Sequence, residues 1–166
     1  QKFDCICSGG VLHHMKDPVA GWKVLTGLLK PRGLMRIGLY SAHARRAITA
    51  AREIIRTENY PDTAAGMRRF RQESAKRLGT DEIWDAMDYY HLNMYRDLLF
   101  HVQEHQFTLP QLQKTLDDLG LEFLEFFDLP PQQQEKGKTL ADWDKIEEEN
   151  PSLFSRMYQF WCRKKY

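Results

Sequence analysis

Phe3-Asp4-Cys5-Ile6-Cys7-Ser8-Gly9-Gly10 is a short apolar run that stops at two glycines, and it decides the fold. Its length and composition are those of a buried strand. Asp17-Pro18 follows as a helix start, with Asp17 as N-cap and Pro18 where a missing N–H costs nothing. Pro18, Trp22, Leu25 and Leu29 recur at helical spacing, which makes one face apolar. Lys30-Pro31-Arg32-Gly33 ends that helix, and Leu34-Met35-Arg36-Ile37-Gly38-Leu39-Tyr40 reads as a second strand. A strand, a helix and a strand in so short a span make a βαβ unit with parallel strands.

Beyond that unit the pattern turns helical. Helices are expected over Ala42–Arg56, over Thr63–Leu78 and from about Glu82 to Glu104, with breaks at Asn59–Asp62 and Gly79–Asp81. In the third, Trp84, Met87, Tyr90, Met94, Leu98 and Val102 track an apolar stripe. Thr108-Leu109-Pro110-Gln111 matches a capping box, and Leu109, Leu112, Leu116 and Leu119 follow on one helix face up to Gly120. Leu121–Leu129 reads as a Phe-rich strand, Pro130–Lys138 as a polar loop, Leu140–Glu149 as a short helix and Met157–Cys162 as a last strand. The organisation is therefore a strand-helix-strand over 1–41, a helical insertion over 42–107, and a helix with strands over 108–166.

Composition narrows the function classes. The 166 residues are 42% hydrophobic and 12% aromatic, too apolar for a disordered chain. No run approaches the ~20 apolar residues that span a bilayer, so no membrane partner is expected. The net charge of +1 hides an asymmetry: residues 1–80 carry 15 Lys+Arg against 6 Asp+Glu, and residues 81–166 carry 9 against 17. Pairing between the halves accounts for this more simply than an anionic partner. Arg68, Arg69, Arg71, Lys76 and Arg77, with Phe70 among them, read as a solvated helix face rather than a nucleic-acid surface, since no base-stacking motif accompanies them. Cys5, Cys7 and Cys162 make an odd count without a C-x-x-C, which argues against a disulfide framework and a zinc ribbon and for a reducing cytoplasm. Cys5 and Cys7 share one strand face and are expected in the core.

The first strand, with its glycines, Leu12-His13-His14 and Asp17-Pro18, together with Leu29–Ser41, resembles the class I S-adenosylmethionine-dependent methyltransferases. The match is to the fourth strand, the next helix and the fifth strand of that fold. Residues 108–129 look like its next helix and sixth strand, and residues 152–162 like its antiparallel seventh strand. The resemblance implies an α/β chain: the C-terminal portion of a Rossmann-like class I methyltransferase sheet with a helical insertion. It is strongest to bacterial members fused to tetratricopeptide repeats. It implies S-adenosylmethionine as cofactor of the complete domain and a methyl acceptor that the sequence does not name. The family's hinge commonly has two glycines where this chain has Arg32-Gly33, and its Gly-rich cofactor turn and ribose-binding acid have no counterpart here. The non-catalytic alternative is an interaction module derived from the same fold.

Ser8-Gly9-Gly10 ends the first strand where open α/β sheets place ligands. By the resemblance Ser8, Gly9 and His13 lie beside the cofactor, and His14 or His101 takes a proton from the acceptor. The plainer reading of the same stretch is a tight turn with a solvent histidine pair. Tyr40, Tyr90 and Arg96 are the candidates for the substrate side, and Tyr40 reads equally well as an ordinary strand-end tyrosine. His101-Val102-Gln103-Glu104-His105 matches the H-x-x-E-H zinc peptidase pattern, which requires a helix and a third ligand, with Glu147–Glu149 available. The βαβ unit is foreign to that class, so no metal is assigned. The chain begins in a strand and without Met, which suggests a cut fragment. Either a missing N-terminal half or a homodimer through the first strand would cover its edge, with Asp4 helping to fix the register.

Overall fold

The computed structural model describes residues 1–77, 91–100, 103–154 and 157–166. In chain order the elements are β1 (Phe3–Gly9), a 3-10 turn (Leu12–His14), α1 (Pro18–Leu28), β2 (Leu29–Tyr40), α2 (Arg46–Thr57), α3 (Ala64–Arg77), α4 (Leu92–Leu99), α5 (Leu109–Asp118), β3 (Leu121–Phe126), α6 (Pro131–Gln134), α7 (Leu140–Glu149) and β4 (Met157–Lys164). They form two compact units, one of residues 1–44 with 103–166 and one of residues 45–102.

The first unit holds a four-stranded sheet in the order β1-β2-β4-β3. β1 and β2 are parallel, and β4 runs antiparallel to both β2 and β3. The expected βαβ unit and the antiparallel last strand are both present. Asp17 caps α1 by accepting from the Ala20 N–H at 2.9 Å, and the Thr108–Gln111 capping box opens α5. Leu109, Leu112 and Leu116 of α5 are fully buried, as are Trp22 of α1 and Leu29 at the start of β2. Alternation along the strands then sets the layers. Met35, Ile37 and Leu39 face a core they share with Tyr158, Phe160 and Cys162 of β4.

Several expectations are corrected. α1 ends at Leu28, and β2 begins before the hinge because Leu29 already pairs with Phe3. The register jumps between Phe3 and Cys5, so Lys30–Gly33 bulge out of the ladder. Cys5 and Cys7 are exposed rather than core. They pair with Leu34 and Arg36, on the sheet face that points away from Met35 and Ile37, and both partners are exposed too. β1, the edge of this sheet, is exposed or half-buried from Phe3 to Cys7, while Ser8 is buried. Asp4 offers no free charge at that edge: it accepts from Lys30 Nζ at 2.8 Å. Pro131–Gln134 form a short helix inside the polar loop.

The second unit packs Ile48, Ala51 and Ile55 of α2 with Met67 and Phe70 of α3 and with Tyr95, Leu98 and Leu99 of α4. Of the expected third helical region, Leu92–Leu99 is described and Tyr90 lies outside the described residues. α4 starts only after His91, so its phase differs from that of a helix continuous from residue 82. Tyr95 faces inward and Met94 is exposed. Within the basic stretch, Phe70 is core, Arg69 pairs with Glu73 at 2.9 Å, and the Arg71 guanidinium lies 4.5 Å from the Tyr95 ring centre.

The hinge yields a stability test. Arg32 has φ +61°, the left-handed region that favours glycine. A Cβ on Gly33 would stand 2.8 Å from Leu29 Cγ and 2.9 Å from the Lys30 carbonyl oxygen. Arg32→Gly should raise the unfolding free energy by about 1 kcal/mol, the strain relieved being partly offset by the entropy of a freer unfolded chain. Gly33→Ala should lower it. Urea titration of the two variants checks both signs, and a stabilising Gly33→Ala would refute the packing at the hinge.

Candidate functional site

The parallel pair brings its carboxyl ends together at Gly9 and Gly38, which are directly opposite. The chain turns there because Gly10 takes φ +71° and its N–H donates to the Gly38 carbonyl at 3.2 Å. Gly38 has no room for a side chain: a Cβ would meet Met157 Sδ at 2.9 Å and Gly9 Cα at 3.1 Å. The turn therefore sits hard against β2 and carries the following residues over the strand ends.

His13 is fully buried there, and its ring stacks on Tyr40 with centroids 3.7 Å apart. His14, half-buried, meets both rings edge-on, at 4.4 Å from His13 and 5.8 Å from Tyr40. The two histidines are thus a packed aromatic group with Tyr40 and not a solvent pair. Ser8 is buried and Gly9 exposed beside them. A pocket of about 470 Å³ opens on the same turn, lined by Cys7, Ser8, Gly9, Val11, Leu12 and Met15 and by Gly21, Val24 and Leu25 of α1.

Residues 103–107 cross these strand ends as a strap. The His105 N–H donates to the His13 carbonyl at 2.8 Å. The Phe107 N–H donates to the Tyr40 carbonyl at 2.9 Å, and the Ala42 N–H donates to the Phe107 carbonyl at 2.8 Å. Gln103 Nε2 donates to the Met15 carbonyl at 3.3 Å and lies 3.3 Å from His105 Nε2. His14 Nδ1 lies 3.4 Å from the Gln103 carbonyl oxygen. Because the strap spends its backbone on His13 and Tyr40, residues 103–106 are not helical. That removes the helix spacing a zinc peptidase needs across Glu104 and His105. His101 lies outside the described residues, and no group of three His, Cys, Asp or Glu side chains among the described residues is placed to hold a metal.

Glu147, the other residue considered for zinc, is engaged elsewhere. It is fully buried, its Oε1 accepting from Ser41 Oγ at 2.8 Å and its Oε2 from the Tyr158 hydroxyl at 2.7 Å. Ser41 Oγ accepts in turn from the Ala44 N–H at 3.1 Å. The network locks the residue next to Tyr40 to α7 and β4. Burial raises the Glu147 carboxyl above its ordinary value, against the opposing pull of the two hydroxyls, and burial likewise raises the Tyr158 phenol. A sequence signal existed: Leu140, Trp143 and Glu147 share one face of α7, and an acid in an apolar stripe marks a satisfied buried charge. The strap carried no such signal. Arg96 belongs to the helical unit, where it pairs with Asp62 at 2.6 Å.

Comparison with known proteins follows this geometry. No family model matches the chain. An uncharacterised protein of Synechococcus sp., syc1184_c, is 32% identical over 137 residues, which are 76% of this chain and 33% of that protein. Two solved structures of PKMT2 from Rickettsia typhi share the fold. The one in complex with AdoHcy has a TM-score of 0.64 at 14% identity, over 99% of this chain and 36% of the other. The second has a TM-score of 0.66 at 16% identity, over 97% of this chain and 35% of the other. The chain thus has a class I methyltransferase fold and spans about a third of the length of the proteins it matches.

A raised carboxyl stabilises the fold in its protonated form. Its contribution is complete below the ordinary carboxylate pKa near 4.5 and is lost as pH rises through the raised value. Glu147→Gln should therefore flatten the fall of unfolding free energy with pH above 4.5. Glu147→Leu, which leaves two buried hydroxyls without an acceptor, should cost on the order of 2–3 kcal/mol at every pH. Denaturation series across pH distinguish the two, and an unchanged slope in Glu147→Gln would exclude Glu147 as the titrating group.

Proposed function

We propose that this chain supplies one wall of an S-adenosylmethionine-dependent methyltransferase. The observation that carries the reading is the packed His13–His14–Tyr40 group over the Ser8–Gly10 turn, at the carboxyl ends of two parallel strands. The solved neighbour in complex with AdoHcy supports it, since AdoHcy is what methyl donation leaves behind. The bound cofactor supplies an electrophilic methyl group on a cationic sulfur.

The residues present fit part of that group. Gly9 and Gly10 have open space where a Cβ would be, which leaves room for a ligand against their backbone. His13 is buried against Tyr40, so the half-buried Tyr40 and His14 rings are the ones that could meet a cation. This reading assigns Ser8, Gly9 and His13 to the cofactor and Tyr40, Tyr90 and Arg96 to the acceptor. With that group bound, this wall would have to hold the acceptor in line with the methyl group it offers, through Tyr40 and the histidine pair. The proton released by the acceptor passes to a base, which this reading assigns to His14, with His101 as the alternative. Alignment and exclusion of water do most of the remaining work.

The turn and acid that hold the methionine and ribose in this fold have no counterpart in this sequence. The chain alone should therefore bind S-adenosylmethionine with a dissociation constant above about 1 mM, on the order of −4 kcal/mol or weaker. Calorimetric titration with S-adenosylmethionine and S-adenosylhomocysteine checks this. Tight binding would show that this wall suffices.

A second reading, a non-catalytic interaction module, is favoured by one surface. Phe3, Val11, Met15, Val24 and Leu28 are large apolar residues exposed on or beside β1 and α1. In either reading β1 takes a further strand, from other polypeptide or from a second copy of the chain in a two-fold antiparallel pair. No helix among the described residues is long and apolar enough to cross a membrane, and a reducing cytoplasm suits the exposed thiols. If a second copy pairs there, sedimentation should give a dimer that Ile6→Pro dissociates. A monomer in the native chain would leave the edge to other polypeptide.

A further inference from the structure

Gln103 is a residue to which the sequence assigns no role, yet both ends of it meet a histidine of the site. Its carbonyl oxygen faces His14 Nδ1 at 3.4 Å, and its side-chain Nε2 faces His105 Nε2 at 3.3 Å. The amide orientation is fixed by a third contact, from Nε2 to the Met15 carbonyl at 3.3 Å. A carbonyl only accepts, so the amide nitrogen must point there, and its two hydrogens have two acceptors, Met15 and His105.

We infer that Gln103 is a positioning residue that sets the tautomers of His14 and His105. The carbonyl opposite His14 Nδ1 requires a hydrogen on that nitrogen. A neutral imidazole carries one N–H, so the lone pair of His14 is on Nε2. At His105 the amide hydrogen arrives at Nε2, so the lone pair there is already the acceptor of Gln103 and the ring proton is on Nδ1. Two similar histidines are thereby given different roles. His14 carries its lone pair on Nε2, and His105 spends its own on Gln103 and thereby on holding the strap. Its main-chain N–H, bonded to the His13 carbonyl, finishes that attachment. The role of His14 as base rests on the methyl-transfer reading; the tautomers follow from the contacts alone.

The test is long-range proton–nitrogen correlation of the imidazoles in the full nitrogen-15-labelled chain, at a pH where both rings are neutral. Both His14 and His105 should show the Nδ1–H pattern, the minority form of a free imidazole. Gln103→Met keeps length and flexibility but removes the amide, and should return His105 toward the Nε2–H form and His14 toward a mixture. A native chain with His14 or His105 in the Nε2–H form overturns the inference, and needs no variant. So does a folded Gln103→Met in which both keep the Nδ1–H pattern. If the methyl-transfer reading alone is wrong, the rest of the enzyme joined to this chain will fail to bind cofactor while the tautomers stay as described.

Discussion

Three cross-strand pairs hold the sheet in register: Met35 opposite Cys162, Ile37 opposite Phe160, and Leu39 opposite Tyr158, all fully buried. Side chains alternate along a strand, so a slip of one residue between β2 and β4 would turn the three of one strand out of the core. The penalty of exposing that many large apolar groups makes the register the most strongly specified feature of the fold. Much of the candidate site is then fixed as a consequence. Tyr158 can reach Glu147 only because it sits opposite Leu39, and Ser41 can reach the same carboxylate only because β2 ends at Tyr40.

The two strands were legible in the sequence, though not their pairing. Alternation in Leu34–Tyr40 and in the Met157–Cys162 run marks the two strands, and the caps at Asp17 and Thr108 place the helices that cover them. Caps are local chemistry, written in three or four neighbouring residues, and such features survive the loss of all tertiary information. Cys5 and Cys7 were misread because burial is not local. Their alternation identifies a common face correctly, but which face is covered depends on what else packs against the sheet. The face they share with Leu34 and Arg36 is open in this chain.

The site was legible in its turn and illegible in its strap. Two glycines after an apolar run, followed by paired histidines, mark a chain reversal at strand ends. The stacking of His13 on Tyr40 follows once β1 and β2 are known to be parallel neighbours. The main-chain hydrogen bonds that tie His105 and Phe107 down go to His13, Tyr40 and Ala42, far away in the sequence. Main-chain pairing of an extended segment puts almost no constraint on side-chain identity, so it leaves no pattern to read. In this stretch the residues did form a pattern, H-x-x-E-H, and that pattern belonged to a helix that residues 103–105 do not adopt.

One parallel pair also limits what the chain can do by itself. In an open α/β sheet the ligand crevice forms outside the carboxyl ends of the strands, where neighbouring connections part to opposite faces. β1 and β2 supply one such connection, through the Ser8–Gly10 turn, and β4 runs the other way, bringing its amino end to that side. The helices described in this unit pack on the Met35–Ile37–Leu39 face, so the opposite face contributes Tyr40 and Gly38 but no second layer. A crevice needs two sides, and in the proposed reading this chain builds one of them. The turn is tied to β2 at Gly38, the aromatic group is tied to the strap, and the strand end is tied to Glu147. On the reading proposed above, these ties would serve a wall that meets a counterpart, because such a wall holds a reacting geometry only if its own groups stay in place.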